Sequence, residues 1–443
     1  MSTLVRTLRF QDLLFLFLGS VIGSGIFLTP GLILRQVQGS VVACILAWIA
    51  GGVLSLLGAL TYAELAASRP QAGGLYCYIR DGFGRLPAFL YGWSLFFVIT
   101  SGSVAALARA FSRYAAQLVP VSASGSTVIA VLMIGALTAI NVWGTRKSSS
   151  IQNWTTLIKL SVIVLLASLL LAGGRHSGDL RSTIAMTQHG ISFLSSFGLA
   201  MIAVLWAYEG WQFGTYSAGE VIDPQKNFPH AFLAGSLILV GVYVLAVIAF
   251  LAALGPTLAQ VSETIAASSA AVVLGPQAAR IVSLTILIST FSAANGTILT
   301  ASRVFFAMAN DNLFFRDLAR IHPRFHTPAP AIMALGAWSA VLACAGGFTE
   351  LISGVVFVGW IFYGLAAASI FPLRRTAKID ALPYRVPGYP ATPMLVVLAA
   401  AALVGNSLYL AFHNPRGFAH IAIAVALFAS GLPAYFFWQR KLQ

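Results

Sequence analysis

"GSVIGSGIFLTP", Gly19 to Pro30, is the stretch on which the fold of this chain turns. It lies within a long apolar run, yet Gly19, Gly23 and Gly25 interrupt it. Glycine in a helix interior costs about 1 kcal/mol relative to alanine. Three of them in one apolar segment mark a place where the chain leaves the helix or where backbones pack closely. Gly19 and Gly23, four apart, would suit close packing of membrane helices on their own. The choice between the two depends on where the run lives and on whether a second segment is broken in the same way.

The composition places the run in a membrane. Of 443 residues 58% are hydrophobic and 9% charged, with a mean hydropathy of +0.87, whereas soluble domains carry about 25% charge. Crossing the hydrocarbon takes about 20 apolar residues. Twelve such runs are present, at about 12–37, 40–66, 84–118, 125–143, 152–173, 191–219, 231–254, 280–310, 328–347, 351–371, 394–412 and 418–438. The expected class is an all-α polytopic membrane protein, one membrane domain over 1–443 with no large soluble part. The first run holds Asp12 and has no small-residue cleavage site, so it reads as a span and not as a removed leader.

The formal net charge of +14 does not point to nucleic acid. With an even number of spans, eighteen Lys and Arg fall in one set of loops and seven in the other. That asymmetry puts both termini in the cytoplasm, in a cell (inner) membrane. Lys159 belongs to neither set, because it lies within the fifth span. The three cysteines are far apart and form no CxxC, and the histidines form no HExxH or similar pattern. No metal, cofactor or nucleic acid is expected. A membrane enzyme would need a convergent catalytic set, and the spans offer no histidine and no paired carboxylates.

A second interruption resembles the first. The sixth span reads "LWAYEGWQFGTYSAGE", with Gly210, Gly214 and Gly219 following Trp206. Glycine-interrupted spans at corresponding positions of two halves point to a transporter built on inverted repeats, with its site where the broken helices meet. The repeats would cover about 12–173 and 191–371, with extra helices at about 394–438. The backbone is expected to be non-helical at Gly23–Gly25 and at Ala207–Gly210. Free backbone groups at membrane depth cost several kcal/mol each unless a polar cavity or ligand receives them. Amides opening the outer half-helix carry the positive end of its dipole and suit a carboxylate. Carbonyls ending the inner half suit an ammonium. The pair matches the two groups common to all amino acids.

Charged residues at membrane depth mark function by default. Glu209 lies in the second break and reads as a contact to a substrate ammonium, a proton-coupling carboxylate or half of a structural ion pair. Lys159 could attract the carbonyls of a broken helix as a bound sodium ion does, or snorkel to the inner surface. Trp206 adjoins the second break and could cover a substrate. Ser292 and Asn295 in the eighth span, and "VFVGWIFYG" in the tenth, serve as helix-contact faces or as pocket residues.

These stretches, in this order, resemble the amino acid–polyamine–organocation superfamily, closest to bacterial relatives of the L-type amino acid transporters. The resemblance runs nearly end to end, through "GSVIGSGIF", "AGGLYCYIRDGFGRLPAFLYGW", the lysine of the fifth span, "LWAYEGW" with "GEVIDPQKNFPHA", "STFSAANGTILTASRVFFAMA", "HPRFHTPAPA" and "LPYRVPGYPATP". It implies the leucine-transporter fold, with five helices plus five inverted and two more at the end. It also implies that Ser24, Gly25 and Ile26 hold the substrate carboxylate. Carbonyls near Val21 and Ile22, and at Trp206, Ala207 and Glu209, would hold the ammonium. Trp206 matches the aromatic that caps substrate in the arginine/agmatine antiporter, and Lys159 matches the lysine that stands in for sodium. Asn295 joins the expected binding set. The implied function is sodium-independent amino acid exchange by alternating access, for neutral or cationic substrates. Proton-coupled symport through Glu209 and a non-transporting amino acid sensor are the alternatives. Many neutral-substrate members have a small residue where this chain has Glu209, and an acid there resembles the branch that accepts cationic amino acids. Animal members join a glycoprotein through a cysteine between the third and fourth spans. The loop here, "VPVSASGS", has none, so no disulfide-linked partner is expected.

Overall fold

In a computed structural model of the chain, residues 6, 8–143, 145–174, 191–325, 327–376, 384–413 and 415–440 are described. Arg175, Arg181, Lys378 and Lys441, counted above among the loop charges, lie outside them, as do parts of two quoted motifs, His326 and Leu382–Pro383.

Each of the twelve apolar runs is helical. Among the described residues ten helices are long and apolar enough to cross a membrane: Val41–Ser68, Arg85–Ala115, Ala123–Trp143, Gln152–Gly173, Phe193–Glu220, Pro224–Val261, Pro276–Asn310, Phe348–Arg375, Ala391–His413 and Ile421–Gln439. The first span is a broken pair, Phe10–Val21 and Gly25–Gln36, whose halves meet at 44°. The ninth, Ala329–Ala345, is shorter at 17 residues. Among the described residues β pairing is confined to one isolated bridge between Leu8 and Val221.

Local chemistry sets the helix ends. Ser40 opens the second span by accepting from Ala43 N, and Asp12 closes the first turn of the first span by accepting from Arg9 N at 3.0 Å. Gly84, at φ +93°, turns the chain into the third span. That span contains a π-helical segment, Leu95–Thr100, where Ser101 Oγ donates to Phe96 O. An extra residue per turn re-aims the face that follows, and such turns cluster at functional sites. Here the re-aimed face carries Ser103 and Leu107.

Three features differ from the sequence expectation. The first break covers Ile22–Ser24, with Gly25 already in the outer half-helix, and the second covers Tyr208–Gly210, with Ala207 still in the inner one. Beyond Gly210 the sixth span continues as a 3₁₀ helix, Trp211–Glu220. A short helix, Ile265–Leu274, fills what reads in sequence as a loop between the seventh and eighth spans.

Candidate functional site

The two breaks face each other, and glycine makes the approach possible. A Cβ added to Gly25 would lie 2.3 Å from Ala207 Cα. Gly210 adopts φ +118°, open to glycine and strained for other residues. A Cβ there would lie 2.8 Å from Ser20 O. The first and sixth spans therefore touch backbone to backbone at both edges of the opening. Tyr243, from the seventh span, ties the breaks together by directing its hydroxyl at Val21 O (3.2 Å) and Ala207 O (3.1 Å).

Lys159 reaches the first break from the fifth span. Its side chain is fully buried, and Nζ donates to Gly19 O and Ile22 O, each at 2.6 Å. Ser289 Oγ donates to Ile22 O as well, at 3.2 Å. No carboxylate lies within ion-pair distance of Lys159 among the described residues. Its charge is matched by the carbonyls that the inner half-helix releases. It does not snorkel.

On the other side of the break, Phe27 N and Leu28 N donate to Ser24 O and start the outer half-helix. The N–H groups of Gly23, Ser24, Gly25 and Ile26 find no acceptor among the described residues. They stand at the positive end of a twelve-residue helix. Trp206 closes over this point, its indole N–H directed at Ser24 Oγ at 3.3 Å. Its ring lies edge-on to Phe348, centroids 6.0 Å apart.

Between the breaks is a small cavity. Ser20, Val21, Gly23, Ser24 and Gly25 line it from the first span, and Trp206, Glu209 and Phe213 from the sixth. Ser103, Leu107 and Thr297 complete the wall. Glu209 is buried, and its Oε1 accepts from Gln212 Nε2 at 2.6 Å and from the Tyr363 hydroxyl. Gln212 Nε2 also donates to Tyr363 Oη at 2.8 Å, and Gly210 N to Gln212 Oε1 at 3.3 Å. Glu209 Oε2 takes no hydrogen bond from the described residues, so one oxygen stays available to the cavity. Glu209 forms no ion pair with a basic side chain there.

The expected binding residues thus divide. Val21, Ser24, Gly25, Trp206 and Glu209 line the cavity. Ala207 backs it against Gly25, and Ile26 is buried one residue further into the outer half-helix. The Ile22 carbonyl is turned to Lys159 and Ser289, away from a ligand role. Asn295 is buried off the cavity, where its Oδ1 accepts from Asn141 Nδ2 at 2.9 Å. Thr297 is the residue of the eighth span at the wall. Residues two apart on a helix point about 200° away from each other. Tyr243, Ser289, Gln212 and Thr297 were not singled out in sequence. Tyr363 was quoted only within the tenth-span aromatic run.

The profile of the amino acid permease family matches residues 8–436. The chain belongs to that family. Amino acid transport is the activity of this permease, and its place in the amino acid–polyamine–organocation superfamily is beside the L-type transporters. It is 31% identical over 429 residues to the serine/threonine exchanger SteT of Bacillus subtilis, covering 96% of this chain and 95% of that protein. It is 30% identical over 392 residues to the b(0,+)-type amino acid transporter 1 of Mus musculus, covering 87% of the permease and 79% of that protein. With the large neutral amino acids transporter small subunit 2 of Oryctolagus cuniculus it shares 31% over 440 residues, covering 96% and 79%.

Proposed function

We propose that the permease is a sodium-independent amino acid exchanger that works by alternating access. The carrying observation is the Lys159 ammonium, held at 2.6 Å from both Gly19 O and Ile22 O. A fixed cation satisfies the carbonyls of the break permanently, so the cavity is preformed without a bound metal ion. The substrate carboxylate meets the unpaired amides of Gly23–Ile26, and its ammonium meets the second lone pairs of the Val21 and Ala207 carbonyls. Trp206 covers the ligand. The two broken spans five positions apart support inverted repeats at about 12–173 and 191–371. The relatives, a serine/threonine exchanger and amino acid transporters, support exchange.

Glu209 extends the substrate range to cationic amino acids, because it lines the cavity and keeps Oε2 free of hydrogen bonds from the described residues while Oε1 is held by Tyr363 and Gln212. The loop charges support cytoplasmic termini in a cell membrane, and a loop without cysteine between the third and fourth spans supports operation without a disulfide-linked glycoprotein. Uptake into proteoliposomes preloaded with amino acid, with choline replacing sodium on both sides, tests the proposal. Undiminished uptake that depends on the internal amino acid is expected. Uptake that stops without sodium, or that ignores the internal amino acid, refutes it. A second reading, proton coupling through Glu209, rests on the same carboxylate. It requires uptake into empty vesicles driven by an inward proton gradient, abolished by Glu209→Gln.

A further inference from the structure

A second cavity lies toward the end of the bundle that holds the N-terminal segment, which the proposed topology turns to the cytoplasm. It shares no lining residue with the central cavity. Its position relative to the first is fixed by helix periodicity. Asp12 and Leu16 follow Ser20 down one face of the first span, each a turn further on. In the sixth span Ser217 and Glu220 follow Phe213, and in the eighth Thr300 and Arg303 follow Thr297. The three central walls thus continue into the second cavity, about 12 Å away along the first span at 1.5 Å per residue. The bridge between Leu8 and Val221 borders it, with Leu8 N donating to Glu220 O at 2.9 Å and Ile222 N to Leu8 O at 2.8 Å.

The lining carries both signs of charge. Arg303 donates through Nε to Glu220 Oε1 at 3.3 Å and through Nη1 to Leu299 O. Its Nη2 has no acceptor among the described residues. Gln152, only 1% exposed, lines the cavity, and its Nε2 is a buried donor without a partner. Asp12 accepts from Asn153 Nδ2 at 3.2 Å and from Arg9 N at 3.0 Å, one bond on each oxygen. Each oxygen keeps a free lone pair. Arg303 Nη2 therefore awaits a carboxylate and the Asp12 carboxylate awaits a cation. Two acids against one base disfavour a simple anion, and the guanidinium disfavours a bare cation.

We propose that this cavity is a second amino acid site, which holds the zwitterion between the central cavity and the cytoplasm. The carboxylate binds Arg303, the ammonium binds Asp12, and Ser217 and Thr300 line the space for the side chain. The proposal rests on the transport reading above, since an amino acid must pass this point. It makes passage stepwise, with the ligand exchanged between two charge-matched sites along the faces that the first, sixth and eighth spans share.

Equilibrium dialysis of the purified full chain tests it, using whichever of L-serine, L-leucine and L-arginine gives the largest exchange in vesicles. Two bound molecules per chain are expected in the wild type. Trp206→Ala weakens one component at least tenfold, and Arg303→Gln and Asp12→Asn each weaken the other at least tenfold. Asp12→Asn leaves the Arg303–Glu220 pair intact, so agreement between those two variants separates a ligand role from the loss of an ion pair. Retention of the central component shows that the variants are folded. In oriented vesicles both variants raise the cytoplasmic-side KM at least fivefold and leave the outer-side KM within twofold. One molecule per chain, or equal KM shifts on both faces, overturns the second site and leaves the transport reading standing. No binding and no exchange by the wild type overturns both.

Discussion

Gly25→Ala is the smallest change that tests whether the two breaks form one site. The added Cβ would meet Ala207 Cα at 2.3 Å and Ala207 Cβ at 2.6 Å, where ordinary contacts begin at 3.4 Å. The first and sixth spans must separate by about 1 Å to relieve it, because the obstructing atom is backbone and has no rotamer to change. Overpacking by one methyl costs ~1–3 kcal/mol of stability, so the protein should still purify as a monodisperse species with a lowered melting temperature. The functional loss should be larger. A displacement of about 1 Å between groups that must act together costs about a hundredfold, or ~2.7 kcal/mol. Initial rates of exchange in proteoliposomes give the readout. Gly241→Ala is the control, since an added Cβ there meets nothing within 4 Å, and it should exchange at the wild-type rate. The double variant Gly25→Ala/Ala207→Gly should not recover, because removing the Ala207 Cβ leaves its Cα in place. Wild-type exchange by Gly25→Ala, or full recovery in the double variant, refutes the contact between the breaks as the basis of the site.

Three further outcomes are expected. Lys159→Met removes two charge-assisted hydrogen bonds, each ~1.5–3 kcal/mol before the cost of burying the charge is recovered; exchange should fall at least thirtyfold, and sodium should not restore it, while a wild-type rate would remove the lysine from the mechanism. Glu209→Gln should weaken competition by arginine or lysine ten- to a hundredfold, ~1.4–3 kcal/mol, and spare alanine or leucine; equal effects on both classes would make Glu209 a structural residue. Glu64 is buried, accepts from Arg374 at 2.7 and 2.6 Å and from Val386 N at 2.6 Å. Arg374 in turn stands 3.7 Å from the Tyr389 ring centroid. Glu64→Ala should destabilise by ~3–5 kcal/mol through the guanidinium left behind, read as a drop in melting temperature with substrate preference unchanged; an unchanged melting temperature would show that the pair contributes nothing.

The spans were legible because burial in lipid demands long apolar runs, and the breaks because glycine is the one residue that weakens a helix without a side chain. Lys159 and Glu209 stood out as charges with no local solvent. The positions of the breaks shifted by one residue because Gly25 serves the approach to Ala207 and not the loss of helix. Asn295 illustrates what a sequence hides. It and Thr297 are both polar residues on a face of small ones, and only the rotation of the eighth span decides that Thr297 reaches the cavity while Asn295 meets Asn141. Tyr243 and Tyr363 look like any membrane aromatic until tertiary packing brings their hydroxyls to Val21 O and to Glu209. The 3₁₀ course of Trp211–Glu220 has no signature in its residue pattern, since it is held by contacts with other spans.

Recognition of the backbone groups of an amino acid by the two breaks is most directly measured by competition in sodium-free counterflow. The best-transported amino acid is compared with its methyl ester, which lacks the carboxylate, and with its N-acetyl derivative, which lacks the ammonium. Each derivative leaves one set of buried partners unpaired, at ~2.7 kcal/mol or more. Both should compete at least a hundredfold more weakly than the parent, while changes to a neutral side chain shift competition less. Competition by either derivative within threefold of the parent would contradict recognition of both groups at the breaks.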